Sequence, residues 1–390
     1  MMNRDAVIVG AVRSPVGIGK PEKGALSGIH PVDLSAMVLQ GLIERTGIDP
    51  AIVDDVIWGA VSEVGEQAFN VGRNAALAAG FTEEVTGVTI DRQCGSSQQA
   101  AHFGAAGVIA GQYDFVIAGG VESMSRVPMF SNAAGGDGPF GPRMIDRYNG
   151  GLVGQGISAE MIAEQWNLSR TDLDAIAVTS NERAAAATAA GLFADEIIPI
   201  TTADGVVSTD QGIRAGTTLE SLAGLKTPFK EGGVVTAGNA SQISDGSAAM
   251  LITSSEKARE FGLKPLARFH TFALAGVDPI IMLTGPIPAT KKALQRSGLA
   301  LADIGTFEVN EAFAAVLGAW YREIGADPAL TNPNGGAIAL GHPLGASGAR
   351  LMTTMIHHMR RNNIKYGLQT MCKVAAWQMP PSWNFFKNFC

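Results

Sequence analysis

Cysteine is scarce in this chain, with three in 390 residues, and so are tyrosine and tryptophan, with four and five. Three widely spaced thiols, an odd number, cannot close a disulfide framework, and they read as the thiols of a reducing compartment. Charged residues make up only 17% of the chain and the net charge is −7. No basic cluster with interleaved aromatics occurs, which excludes the electrostatic footprint of a nucleic-acid binder. No apolar run is long enough to span a membrane, and Met1-Met2-Asn3-Arg4-Asp5 enters a strand without the apolar stretch of a signal peptide. The expectation is a cytoplasmic protein away from membranes. His30, His102, His270, His357 and His358 show no metal-ligand spacing, so no metal is expected.

What is abundant is small or apolar: hydrophobic residues reach 46% and glycine counts 48. That suits an α/β protein with many tight strand-to-helix turns, long enough for two or three domains' worth of core. Strand-like and Ala-rich runs alternate. Strands are expected at Ala6–Gly10, Asp55–Gly59 and Asp114–Ala118, and helices at Pro31–Glu44, Asn70–Ala79 and Cys94–Ala110. This predicts a mostly parallel sheet with helices on both faces. The scheme repeats weakly later. Phe307–Asn310 answers Asp55–Gly59, the turn and helix of His342–His358 answer Cys94–Ala110, and Leu368–Cys372 answers Asp114–Gly119.

Cys94 lies where the run Val85–Ile90 meets a small-residue helix, with Gly95 to sharpen the turn. A helix N-terminus favours a thiolate, so a lowered thiol pKa is expected there. His342 sits in a glycine-rich turn before another helix, Cys372 ends a short strand, and Asn310 follows the strand beginning at Phe307. Each has a bland alternative: a core thiol for either cysteine, a helix cap for His342, an N-cap of a helix over Glu311–Leu317 for Asn310.

Taken together, Gln93-Cys94-Gly95-Ser96, Asn310-Glu311-Ala312-Phe313, Gly341-His342-Pro343 and Gly367-Leu368-Gln369-Thr370-Met371-Cys372 resemble the four active-site motifs of the thiolase family, in family order. The resemblance runs from about Ala6 to Cys372. It implies two duplicated α/β halves in a five-layer α-β-α-β-α sandwich with an inserted loop domain. The first half would be 1–120 with about 239–265, the coenzyme A-binding insertion 121–238, and the second half 266–390 with an aberrant tail from 373.

The resemblance also implies thiolysis of 3-ketoacyl-CoA to acetyl-CoA and a shortened acyl-CoA, or the reverse condensation, as in fatty acid β-oxidation. Cys94 would be the acyl nucleophile, His342 its base and part of an oxyanion site, Cys372 the acid/base at the α-carbon, and Asn310 the holder of an oxyanion water. Ser241, Arg214 and Ser221 match coenzyme A contacts. Coenzyme A and its thioesters would be substrates with no permanently bound cofactor, and the assembly a homodimer or homotetramer. Where acetoacetyl-specific relatives carry a His-Met pair ahead of Ala159-Glu160, this chain has Gly154 and Gln155. That opens the acyl pocket to a longer or bulkier group.

The ending departs from the family, which continues Cys-x-Gly-Gly-Gly into a buried strand. Here Cys372 is followed by Lys373-Val374-Ala375-Ala376-Trp377-Gln378-Met379-Pro380-Pro381. Lys373 to Asn384 admit codons that, read two bases further on, spell Gly-Gly-Gly-Met-Ala-Asn-Ala-Thr-Ile-Met-Glu, the expected ending. The expectation is a single-base deletion just after the Cys372 codon. The alternatives are a non-catalytic acyl-CoA-binding relative and, on the same fold, a ketoacyl synthase. The latter is disfavoured by Asn310 and the second cysteine where a Cys-His-His set would stand.

Overall fold

The central strands of the first sheet are buried on both faces, as a sheet covered by helices on either side requires. The computed structural model describes residues 4–372; the altered tail, Val374 and Cys390 included, lies outside the described residues. In chain order the first half holds β1 (Val7–Arg13), β2 (Gly17–Ile18), α1 (Pro31–Thr46), β3 (Asp55–Gly59), α2 (Val71–Ala78), β4 (Thr86–Ile90), α3 (Ser96–Ala110) and β5 (Phe115–Ser123). A middle stretch follows with α4 (Pro142–Arg147), α5 (Gln155–Gln165), α6 (Arg170–Ala189), β6 (Ile200–Thr202), β7 (Gly205–Val207) and α7 (Leu219–Ala223). The rest is β8 (Ser244–Thr253), α8 (Ser255–Glu260), β9 (Ala267–Arg268), α9 (Pro286–Ser297), β10 (Thr306–Val309), α10 (Ala314–Ile324), α11 (Ala337–Leu340), α12 (Ser347–Arg361) and β11 (Gly367–Thr370).

The main sheet runs β4-β3-β5-β8-β1-β9. On β5 and β8, Phe115, Ile117, Ala249 and Leu251 face α1 and α2, while Val116, Ala118, Met250 and Ile252 face α3 and α12. Helix α12 packs on β8 and β1 on one side and on β10 and β11 on the other. The layers are thus α1/α2, main sheet, α3/α12, β10–β11, and an outer layer with α5, α9 and α10. This is the five-layer α/β arrangement, with β3, β4 and β5 parallel and β10 parallel to β11.

One expectation is corrected. The sheet is mixed, because β8 runs antiparallel to both β1 and β5. The chain re-enters the sheet after a long excursion over residues 124–243. A strand buried on both faces carries no alternation from which its direction could be read.

The layer between α12 and the β10–β11 pair is polar. Glu308 and Gln369 are register partners across the two strands, and Arg350 of α12 is fully buried nearby. Burial pushes the Glu308 carboxyl up to about 8, with Arg350 pulling it down. A carboxyl raised on folding holds its proton more tightly in the native state. Its contribution to stability is therefore present at low pH and lost as pH rises through the folded value. Between about pH 5 and pH 8, wild-type stability should fall relative to Glu308→Gln by up to roughly 4 kcal/mol. Urea unfolding at several pH values measures this; parallel pH profiles for the two proteins would contradict it.

Candidate active site

Four loops from both halves converge at the ends of β4, β10 and β11 and ahead of α12. β4 ends at Ile90, and the following turn is tied by Asp91, whose carboxylate accepts from Gln93 N at 2.6 Å. Gln93 takes a left-handed φ of 50°. The Ser96 hydroxyl accepts from Arg92 N at 2.9 Å and donates to Gln93 O at 2.6 Å. Cys94 is presented from this knot just before α3, not within it, and is only 2% exposed.

His342 leaves a second knot. Gly341 has φ 93°, and a Cβ there would lie 2.5 Å from Ser244 Oγ, so only glycine fits. Ser244 Oγ in turn accepts from His342 N at 3.0 Å. Gly345 approaches so closely that a Cβ would sit 2.3 Å from Val121 O. The buried Glu122 carboxylate, at the end of β5, accepts from Gly345 N at 2.8 Å and from Val61 N at 3.0 Å. Glu122 thereby ties the His342 loop to the first half.

The imidazole's proton can be placed. Ser347 Oγ donates to Pro343 O at 2.8 Å, which spends its only hydrogen. With that hydrogen placed on Pro343 O, Ser347 Oγ accepts from His342 Nδ1 at 2.6 Å. Nε2 is left as an acceptor, and Asn310 Nδ2 approaches it at 3.3 Å. The same imidazole hydrogen-bonds the Cys94 thiol. An unprotonated Nε2 beside a thiol can take its proton. Ser347→Ala removes the partner that fixes this tautomer. Losing one buried hydrogen bond of about 1–3 kcal/mol corresponds to turnover falling roughly 10- to 100-fold. A pH–rate profile unchanged in height would contradict that role.

Cys372 completes the group. It is fully buried at the end of β11 and hydrogen-bonds Cys94. This contact, followed by burial, raises the Cys94 pKa well above the ordinary thiol value, while His342 pulls it down. The expected lowering by the helix is therefore corrected: in the closed site the neutral thiol is favoured, and His342 supplies the opposing influence. Asn310 is likewise no N-cap. Helix α10 starts at Ala314 with Phe313 before it, and Asn310 lies fully buried in the preceding loop, its Oδ1 without a partner among the described residues. Its neighbour Glu311 accepts from Ser180 Oγ at 2.6 Å, Asn332 Nδ2 at 2.8 Å and Ile338 N at 3.2 Å, pinning the loop between α6 and α11.

Ser241 N donates to Ala312 O at 2.9 Å, which places Ser241 beside the Asn310 loop. Glu160 of α5 secures the approach to it by accepting from Val234 N and Val235 N, both at 2.9 Å. Arg214 and Ser221 are both exposed, on the middle stretch. Arg214 N donates to Asn181 at 3.0 Å, and the Ser221 hydroxyl is engaged in the cap of α7, donating to Thr218 O at 2.8 Å. Gly154 caps the start of α5 and Gln155 is its first residue. The sequence reading missed Ser347, Glu122 and Ser244. Ser347 sat in the quoted glycine-rich segment, but its bond to His342 depends on the short helical turn at Leu344–Ala346.

Among the described residues no group of histidine, cysteine or acidic side chains could hold a metal, and no helix is long and apolar enough to cross a membrane.

The family described as "Thiolase, N-terminal domain" matches residues 6–256, and that described as "Thiolase, C-terminal domain" matches residues 263–379. A steroid 3-ketoacyl-CoA thiolase from Mycobacterium tuberculosis is 51% identical over 95% of this chain and 91% of its own length. A 3-ketoacyl-CoA thiolase from Erwinia tasmaniensis is 46% identical over 94% of this chain and 95% of its own. The crystal structure of the Bacillus anthracis acetyl-CoA acetyltransferase superposes with a TM-score of 0.87 at 40% identity, covering 96% of both chains. With both thiolase domains matched and close relatives spanning nearly its whole length, this chain belongs to the thiolase family.

Proposed function

We propose that this protein is an acyltransferase that cleaves 3-ketoacyl-CoA with coenzyme A, through an acyl-Cys94 intermediate, to acetyl-CoA and a shortened acyl-CoA, and runs the reverse condensation when metabolite levels demand it. The observation that carries this reading is the convergence of two buried thiols, an imidazole whose Nε2 faces them as an acceptor, and the buried carboxamide that approaches that nitrogen. A binding protein has no use for a thiol paired with a base and a second thiol. A ketoacyl synthase would need a second imidazole where Asn310 stands.

In this mechanism His342 Nε2 takes the Cys94 proton and the sulfur attacks the keto carbon. The bond between that carbon and the α-carbon breaks. Cys372 delivers a proton to the departing acetyl-CoA α-carbon. Coenzyme A then attacks the acyl-Cys94, its thiol proton passing to Cys372, and as the shortened acyl-CoA leaves, His342 returns the proton it holds to the Cys94 sulfur. His342 and a water held by Asn310 serve one carbonyl oxygen. The N–H of Cys94 serves the other; the second donor that the family pattern implies, two positions after Cys372, lies outside the described residues. Exchange of one thioester for another is close to isoenergetic, which suits a sulfur nucleophile.

The acyl group is longer or bulkier than acetoacetyl. Gly154 removes bulk where acetoacetyl-specific relatives carry the histidine of a His-Met pair, Gln155 stands in place of its methionine, and a 51% identical relative is named for steroid thioesters. Coenzyme A lies over residues 121–238, with Ser241 on the pantetheine arm and Arg214 and Ser221 toward the nucleotide. The halves are 1–120 with 239–265, and 266–390. No cofactor is permanently bound. The protein works in the cytoplasm as a homodimer or homotetramer. An apolar surface fits such an assembly: β4 pairs only with β3 among the described strands, Val88 on it is 40% exposed, and Phe69 nearby is 95% exposed.

Thiolysis of acetoacetyl-CoA, a long-chain 3-ketoacyl-CoA and a 3-ketoacyl-CoA with a steroid side chain tests this, using the chain as written beside one carrying the frame-restored ending. The bulkier substrates should give the higher kcat/KM, and the restored ending the higher activity. Two well-folded proteins with no thiolysis of any of the three would sink the proposal.

A further inference from the structure

Cys94, His342 and Cys372 ride on three different elements, and one junction behind them joins all three. Helix α3 starts two residues after Cys94, α12 starts five residues after His342, and β11 ends two residues before Cys372. The two helices meet at their first turns. Ser97 Oγ accepts from Ala349 N at 2.9 Å. A Cβ on Gly348 would lie 2.2 Å from Gln98 N, so the two backbones touch there. The third element reaches the same spot through a side chain: Gln369 Nε2 donates to Gly348 O at 2.8 Å.

Among the described residues this is the one hydrogen bond between the β10–β11 strands and α12. The rest of that contact is of another kind. Met371 and Leu351 share an apolar cluster with Cys94. Glu308 and Arg350 attract each other across the layer, yet neither the Glu308 oxygens nor the Arg350 nitrogens have a hydrogen-bond partner among the described residues. Apolar burial and dispersion set how far apart the layers lie, but they have no direction and leave the strand free to slide along the helix. A bond from a side chain to one backbone carbonyl stops that slide.

What would slide is the reacting group itself. β11 leads into Cys372, and it also holds the Asn310 loop, because Asn310 N donates to Thr370 O at 3.0 Å. The bond between the two thiols tolerates little displacement, since hydrogen bonds weaken steeply with distance and angle. We propose that Gln369 is a positioning residue: its bond to Gly348 O fixes β11 along α12 and so holds the Cys372 thiol against the Cys94 sulfur. Gln369 has this role on the reading, given above, that the two thiols work as a pair in acyl transfer.

The test uses the 390-residue protein. Gln369→Met keeps the side-chain length and loses the donor; Gln369→Leu does the same with a different shape, and circular dichroism checks that each is folded. Alkylation of Cys94 by iodoacetamide, located by peptide mapping, is followed against pH in wild type, in each Gln369 variant, in Cys372→Ala and in the double variants. Either Gln369 substitution should move the alkylation midpoint down by roughly half a pH unit, because a slackened Cys372 bond no longer holds the Cys94 pKa up. In the Cys372→Ala background the same substitutions should leave the midpoint in place, since no thiol remains there to be positioned. A side chain that merely stabilised the fold would act equally in both backgrounds, and equal shifts would overturn the proposal. If Cys372→Ala moves the midpoint and the Gln369 variants do not, the proposal fails alone. If Cys372→Ala does not move it either, the pairing of the thiols fails, and the role of Gln369 with it.

Discussion

Cys94→Ala should lose thiolysis by at least about 10⁴-fold while the protein stays folded, because the acyl group then has no sulfur to travel on. The residue is buried in a small cluster with Val61, Met124, Leu344, Leu351 and Met371, and alanine keeps the turn before α3 unchanged apart from one sulfur atom. The loss should therefore fall on kcat, with coenzyme A binding close to wild type. Circular dichroism, a coenzyme A binding isotherm and steady-state thiolysis separate the two. Residual turnover within about tenfold of wild type would exclude an acyl-cysteine route at this position.

Cys372→Ala should produce two changes of opposite sign. Turnover falls by about 10²- to 10⁴-fold, the range for removing a positioned proton-transfer group. Alkylation of Cys94 by iodoacetamide speeds up, because the Cys372 hydrogen bond is the foremost cause holding the Cys94 pKa up, and His342 still pulls it down. The pH midpoint of Cys94 alkylation should move to lower pH in the variant. A residue that merely filled space would lower turnover without moving that midpoint downward. An unchanged or higher midpoint would contradict the direct coupling of the two thiols.

Much of this site could be read from local sequence, and the reasons are specific. Cys94 announced itself because an apolar run, a glycine and a small-residue helix follow one another within a few residues. His342 did so because a glycine-rich turn precedes a helix. Both of these are contiguous signals. What escaped was set by residues distant in the chain or by turn geometry. The Cys94 pKa expectation used only its own helix, whereas its foremost determinant is Cys372, brought over from the second half. Asn310 as a helix cap was reasonable from Glu311–Leu317 alone. The Glu311 side chain, drawn to Ser180 and Asn332, keeps the loop extended until Phe313. The direction of β8 was invisible because Ala248–Ile252 is buried on both faces. Ser347 and Glu122 looked like ordinary polar residues until the fold placed one on the His342 ring and the other against Gly345 N.

The central claim is that an acyl group rests on Cys94 during turnover. It is tested most directly by mixing the frame-restored protein with a 3-ketoacyl-CoA in the absence of free coenzyme A, quenching in acid, and mapping the digest by mass spectrometry. The peptide containing Gln93-Cys94-Gly95-Ser96 should carry the mass of the shortened acyl group, chased off by added coenzyme A and absent from Cys94→Ala. An acyl group on any other residue, or none while acetyl-CoA still accumulates, would contradict the account.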